Sequence, residues 1–128
     1  VSTEKGREYE SRAAEFMLKN GYKIIERNWH AGVYGEIDLI CQEDKLLVFV
    51  EVKGRSSSNA LEDALNSIDS VKARKLLMSM QMYLDYLEEK KKTYSPKVRF
   101  DLIVVEDGTT KNIEHFVDVS LWEVSGRV

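Results

Sequence analysis

The segment Leu46–Gly54, LLVFVEVKG, is apolar on both parities of an extended chain until Glu51 and Lys53 interrupt it. Side chains alternate across a strand, so such a run has no face suited to water. It reads as the central strand of a sheet covered on both sides, which requires helices on each face. The flanking sequence supplies them. From Thr3 to Asn20, Tyr9, Ala13, Phe16 and Met17 recur at helical spacing, and Gly21 stops the helix. A long helix is expected over Ser70–Lys92, with Val71, Leu76, Leu77, Met80, Tyr83, Leu84 and Leu87 as its apolar stripe.

Four more strands frame the central one. YKIIERNW (Tyr22–Trp29) is the first, and AGVYG (Ala31–Gly35) supplies a turn. EIDLICQ (Glu36–Gln42) is the second, joined to the central strand by a tight connection at Glu43–Lys45. KVRFDLIVVED (Lys97–Asp107) is the fourth and NIEHFVDV (Asn112–Val119) the fifth. SSSN (Ser56–Asn59) reads as loop and Leu61–Ser67 as a short helix. The order is αβββαββ. A chain of 128 residues without repeats or low-complexity tracts suits one domain, residues 1–128, of α/β class.

Parity then concentrates charge. Glu36, Asp38 and Ile40 share one face of the second strand, and Glu51 and Lys53 share one face of the third. Counting back from the Glu43–Lys45 turn sets Asp38 near Glu51, with Lys53 beside them. Carboxylates gathered at the wall of a core repel each other and resist desolvation. A divalent cation reverses both penalties. Mg²⁺ favours one or two carboxylates plus waters and phosphate oxygens, so Asp38 and Glu51 are the expected ligands of Mg²⁺ or Mn²⁺. Lys53 would orient the attacking water or neutralise phosphate charge. These groups fit phosphodiester hydrolysis.

Composition excludes other classes. Charged residues are 32% and apolar ones 43%, an ordinary globular balance. A net charge of −3 argues against a general nucleic-acid coat protein, so any basic surface must be local. Cys41 is the single cysteine, so no internal disulfide forms, and a reducing cytoplasm is the expected setting. No apolar run is long enough to span a bilayer and the N-terminal segment has no hydrophobic stretch of a secretory signal, so no membrane partner is expected. No CxxC or HExxH spacing occurs, and His30 and His115 lie in different strands, so zinc is not expected.

The D-x₁₂-E-V-K spacing from Asp38 to Lys53 resembles the PD-(D/E)xK signature of restriction-endonuclease-like nucleases. GREYESRAAEFMLKNGYKIIERNW, GEIDLI, VFVEVKGR and RFDLIVV together resemble the YraN-like family of small bacterial endonucleases over about Gly6–Val105. The resemblance implies an αβββαβ core, a mixed sheet flanked by helices, and Asp38, Glu51 and Lys53 as catalytic residues. It implies a helix-borne acid at Glu10, contacting metal or water, and a basic position at Lys72. Similarity of layout to archaeal Holliday-junction resolvases makes branched DNA the implied substrate. The chain departs from the family pattern at Gly54, where threonine or alanine is common. It departs again in the loop SSSNALEDAL, where many members carry a Phe-Gly pair.

Other residues carry two readings each. Glu10 either pairs with Arg7 or Arg12 on a solvated helix face or serves the site. Glu36 either caps the turn at Gly35, pairs with Arg27 or Arg55, or supports the site. Arg55 suits a phosphate or carboxylate. Lys72, Arg74 and Lys75 form a solvated face or line a bound duplex, with Lys72 and Lys75 taken as DNA contacts. Trp29 and Tyr34 are packing residues or a stacking platform near the site's mouth. Asp101 breaks an apolar strand and is expected to find a distant partner, Lys53 or Arg55, rather than Arg99. The reading is a Mg²⁺-dependent DNA endonuclease. One alternative is a nuclease-fold binding module with little turnover. Another is a structural subunit that dimerises through the helix bearing Met78, Met80 and Met82.

Overall fold

The computed structural model describes residues 3–55, 66, 68–90, 96–107 and 112–126. Helix α1 (Glu4–Lys19) is capped by Thr3, whose Oγ1 accepts from the Gly6 N–H at 2.9 Å. Gly21, at φ 90°, closes it: the Gly21 and Tyr22 amides donate to the Leu18 and Met17 carbonyls. Strands β1 (Lys23–His30), β2 (Glu36–Glu43) and β3 (Leu46–Arg55) follow, with a 3₁₀ turn at Gly32–Tyr34. Then come α2 (Ser70–Glu89), β4 (Lys97–Glu106), β5 (Ile113–Phe116) and a short α3 (Leu121–Ser125) that the apolar periodicity is too brief to reveal. The expected loop Ser56–Asn59 and short helix Leu61–Ser67 lie outside the described residues, apart from a helical Asn66.

The five strands form one mixed sheet in the order β1-β2-β3-β4-β5. Its pairs are antiparallel except β3/β4, whose two strands are linked through α2. This is the expected α/β arrangement, a mixed sheet flanked by helices with an αβββαβ core, and β5 is added at the edge.

Leu47 through Glu51 are all buried, as a doubly covered central strand demands. Leu47 and Phe49 join Phe100, Leu102 and Val104 under Ala73, Leu76 and Tyr83 of α2. Val48 and Val50 join Ile103 and Val105 under Ala13, Ala14 and Met17 of α1. Each fully buried Val, Leu, Ile, Phe or Met among them contributes about 1.5–3 kcal/mol. Tyr83, 1% exposed, meets Trp29 and Phe49 edge-on at 5.1 and 5.9 Å between centroids, so Trp29 is a packing residue. Val71 leaves the expected stripe and is exposed, because the first turn of α2 overhangs a cavity instead of the sheet. Of the three methionines of α2, Met78 is exposed, Met82 is half-buried and Met80 packs on the core.

Asp101 corrects another expectation. It is 0% exposed and faces α1, as do Ile103 and Val105, whereas Lys53 and Arg55 follow the opposite parity of β3. Arg99 folds back along the strand, and its Nε and Nη2 each donate to one Asp101 oxygen at 2.8 Å. Residues two apart share a face, and the arginine stem is long enough to place its fork on its own neighbour. His115 Nε2 at 2.6 Å and the Asp118 amide at 3.0 Å complete the shell. Despite opposition from burial, the His115 and Arg99 hydrogen bonds hold the Asp101 carboxyl below its usual range.

Candidate active site

The hairpin register decides the site. Strands β2 and β3 turn at Asp44–Lys45 and pair from Glu43↔Leu46 up to Leu39↔Val50. One step further along the same register sets Asp38 opposite Glu51. The Asp38 Oδ2 accepts from the Val52 N–H at 2.8 Å, which ties its carboxylate to β3. Both residues line a cavity of about 450 Å³ between the sheet edge and the start of α2, together with Tyr34, Glu36, Lys72 and Lys75.

Glu51 is buried, and its Oε2 is 3.6 Å from Lys53 Nζ and in direct ion contact with Lys72 Nζ. Lys72 is placed by its own helix cap: Asp69 Oδ1 accepts from the Lys72 N–H at 2.8 Å, fixing the first turn of α2 over the cavity. Burial and the Glu51 charge push the Asp38 carboxyl up to about 8, with a smaller push from Glu10 and an opposing pull from the Val52 amide. Burial, then the Lys72 ammonium, hold Lys53 below the ordinary lysine range. Burial works the same way on Lys72, but the Glu51 carboxylate outweighs it and raises that amine.

The structure therefore brings Asp38, Glu51 and Lys53 together and adds Lys72 as a direct partner of Glu51. Glu36 reaches the cavity wall. Its Oε1 lies 3.1 Å from His30 Nε2, and its Oε2 accepts from Asn28 Nδ2 at 3.5 Å. Glu10 Oε1 accepts from the same Asn28 amide at 2.9 Å. Asn28 stands at φ 50° within β1, a conformation asparagine tolerates better than most residues. Sequence reasoning missed Asn28; the signal available was an asparagine, a poor strand former, inside a predicted strand. Arg55 donates to the Gly54 carbonyl at 2.9 Å and is not part of the cavity wall.

Gly54 is more than a small residue. A Cβ there would lie 1.9 Å from Tyr9 Cε2, so the Tyr9 ring occupies the space that a side chain at 54 would need. Tyr9 in turn donates its hydroxyl to Asp107 at 2.8 Å. Cys41 is fully buried and its thiol is pushed up to about 12 by burial and then by Asp101, which removes it as a nucleophile. Among the described residues no group of three or more His, Cys, Asp or Glu side chains forms a metal cage, and no helix is long and apolar enough to cross a membrane.

Residues 9–105 match the family described as Uncharacterised protein family UPF0102. The chain belongs to that family. UPF0102 is the YraN family to which the sequence motifs pointed. The matched span contains Glu10, Asn28, Asp38, Glu51, Lys53 and Lys72. A UPF0102 protein of Lawsonia intracellularis is 40% identical over 119 residues, 92% of this chain and 86% of its own. One from Syntrophomonas wolfei is 39% identical over 85% of this chain and 90% of its own, and one from Aliarcobacter butzleri 35% over 90% and 97%. Among solved structures, that of Pyrococcus furiosus SfsA in complex with Ca²⁺ matches 89% of this chain and 64% of its own, at 11% identity and a TM-score of 0.37.

Proposed function

We propose that this UPF0102 protein is a divalent-cation-dependent endonuclease that hydrolyses DNA phosphodiesters, with branched DNA as the substrate class the resemblance implies. The carrying observation is the Asp38–Glu51 carboxylate pair on adjacent strands, in one open cavity, with Lys53 beside it. The donor set fits Mg²⁺ or Mn²⁺: two hard oxygen ligands, an opening for waters and phosphate, and no soft or nitrogen-rich cage. The charged form of Asp38 is costly in this chain without a cation, and Glu51 has recruited ammonium groups, so the site is built for positive charge. When bound, the ion supplies a more acidic water and charge neutralisation at phosphate.

The chain's own residues divide the remaining work. Asp38 and Glu51 would hold the ion, and the Val52 amide fixes the orientation of Asp38. Lys53, held below the ordinary lysine range, is suited to orient the attacking water and to face charge developing on phosphorus. Asn28 aligns Glu10 and Glu36 at the rim, where they support the ligand pair. Lys75, exposed on the cavity wall, and Arg55 at the end of β3 offer backbone-phosphate contacts.

The test is incubation of linear, flapped and four-way DNAs with the protein in Mg²⁺ or Mn²⁺, beside Glu51→Ala. Metal-dependent cleavage lost in Glu51→Ala supports the reading. DNA binding without turnover on any substrate would replace it with a binding module.

A further inference from the structure

Glu51 is buried, and a buried carboxylate persists only with a counter-charge. Among the described residues two ammonium groups meet its Oε2. Lys53 extends from the same strand at 3.6 Å, and Lys72 reaches across from α2 into direct ion contact. The two differ in freedom. The Lys53 side chain is 24% exposed and rises from the central strand of the sheet, whereas that of Lys72 is 33% exposed and lines the open cavity from the first turn of a helix. A divalent ion on Glu51 would put three cationic centres around one carboxylate, and like charges that close repel strongly. One of them must leave, and Lys72 is the more exposed of the two and the one that lines the open cavity.

Resting on the reading of this cavity as a cation-dependent phosphodiester site, we propose that Lys72 is the resident counter-ion of Glu51. It is displaced when the divalent ion enters and then turns to the substrate phosphate. Lys72 is thus a positioning residue in the metal-free protein and a phosphate contact in the loaded one. Two consequences follow. The metal-free protein binds divalent ions more weakly than its ligands alone would, because each ion must displace an ammonium. A polyanion that receives the released ammonium strengthens ion binding, and by linkage the ion strengthens polyanion binding to the same degree.

The experiment is calorimetric titration of Mn²⁺ into the full chain and into Lys72→Met, Lys72→Gln and Lys75→Met, followed by DNA titration in Ca²⁺. Lys75 shares the cavity wall and carries the same charge, so Lys75→Met reports the general electrostatic effect. Both Lys72 variants should bind Mn²⁺ about tenfold tighter than the wild type, the size expected for removing one close competing charge. Lys75→Met should change the affinity by less than about threefold, as expected for a solvent-screened charge. In Ca²⁺ the Lys72 variants should bind DNA more weakly than the wild type. The inference is overturned if the wild type binds Mn²⁺ and the Lys72 variants bind it equally or less tightly, or gain no more than Lys75→Met. If the wild type takes up no Mn²⁺, the cation-site reading falls and this inference falls with it.

Discussion

Asp38→Asn should make the metal-free protein more stable at neutral and alkaline pH. The folded chain raises the Asp38 carboxyl from 3.8 to about 8, by burial and by the Glu51 charge. Between those values the folded protein retains a proton that the unfolded chain has released. The stability it contributes is therefore complete below about pH 4, falls as pH rises, and is gone above about pH 8. At about 1.4 kcal/mol per unit, a rise of roughly four units sets an upper limit of ~6 kcal/mol. Solvent in the open cavity screens the Glu51 charge, so about half of that, ~3 kcal/mol, is the working expectation. Asparagine preserves the shape and the acceptor for the Val52 amide but cannot ionise. Urea unfolding of both chains in EDTA at pH 5, 6, 7 and 8 measures the difference. The variant's advantage should grow with pH across this window. A variant that is less stable at pH 8, or a difference that does not change with pH, would refute the reasoning.

Gly54→Ala drives a methyl into the Tyr9 ring and should cost ~1–3 kcal/mol as an overpacking change. The same substitution in a Tyr9→Ala background should be nearly neutral, which a double-mutant cycle by urea unfolding checks. Asn28→Ala should destabilise by about 1 kcal/mol more than Asn28→Gly, because only glycine accepts φ 50° freely while both lose the amide. DNA binding in Ca²⁺ should weaken steeply with salt for every sequence, since a chain of net charge −3 attracts a polyanion only through its local patch. Fluorescence anisotropy across a salt series measures the slope.

The sheet and the carboxylate pair were legible because both follow from parity. Leu46–Gly54 announces a doubly covered strand, and a short hairpin fixes which residue of β2 meets Glu51. What parity does not encode is side-chain reach. Arg99 doubles back onto Asp101, Lys72 crosses from a helix to a strand, and one Asn28 amide links Glu10 to Glu36. Each depends on the length and direction of a side chain in three dimensions. Asn28 depends also on a left-handed backbone that no hydrophobic pattern marks. Gly54 reads in the sequence only as a departure from the family pattern, because its meaning lies in Tyr9, 45 residues earlier in the chain.

In the proposed site Asp38 and Glu51 share one divalent ion, and anomalous scattering from crystals equilibrated with saturating Mn²⁺ locates that ion directly. A peak is expected between the two carboxylates, with the Lys72 ammonium withdrawn from Glu51. Saturating Mn²⁺ with no peak there, and the Lys72–Glu51 contact intact, would contradict that site.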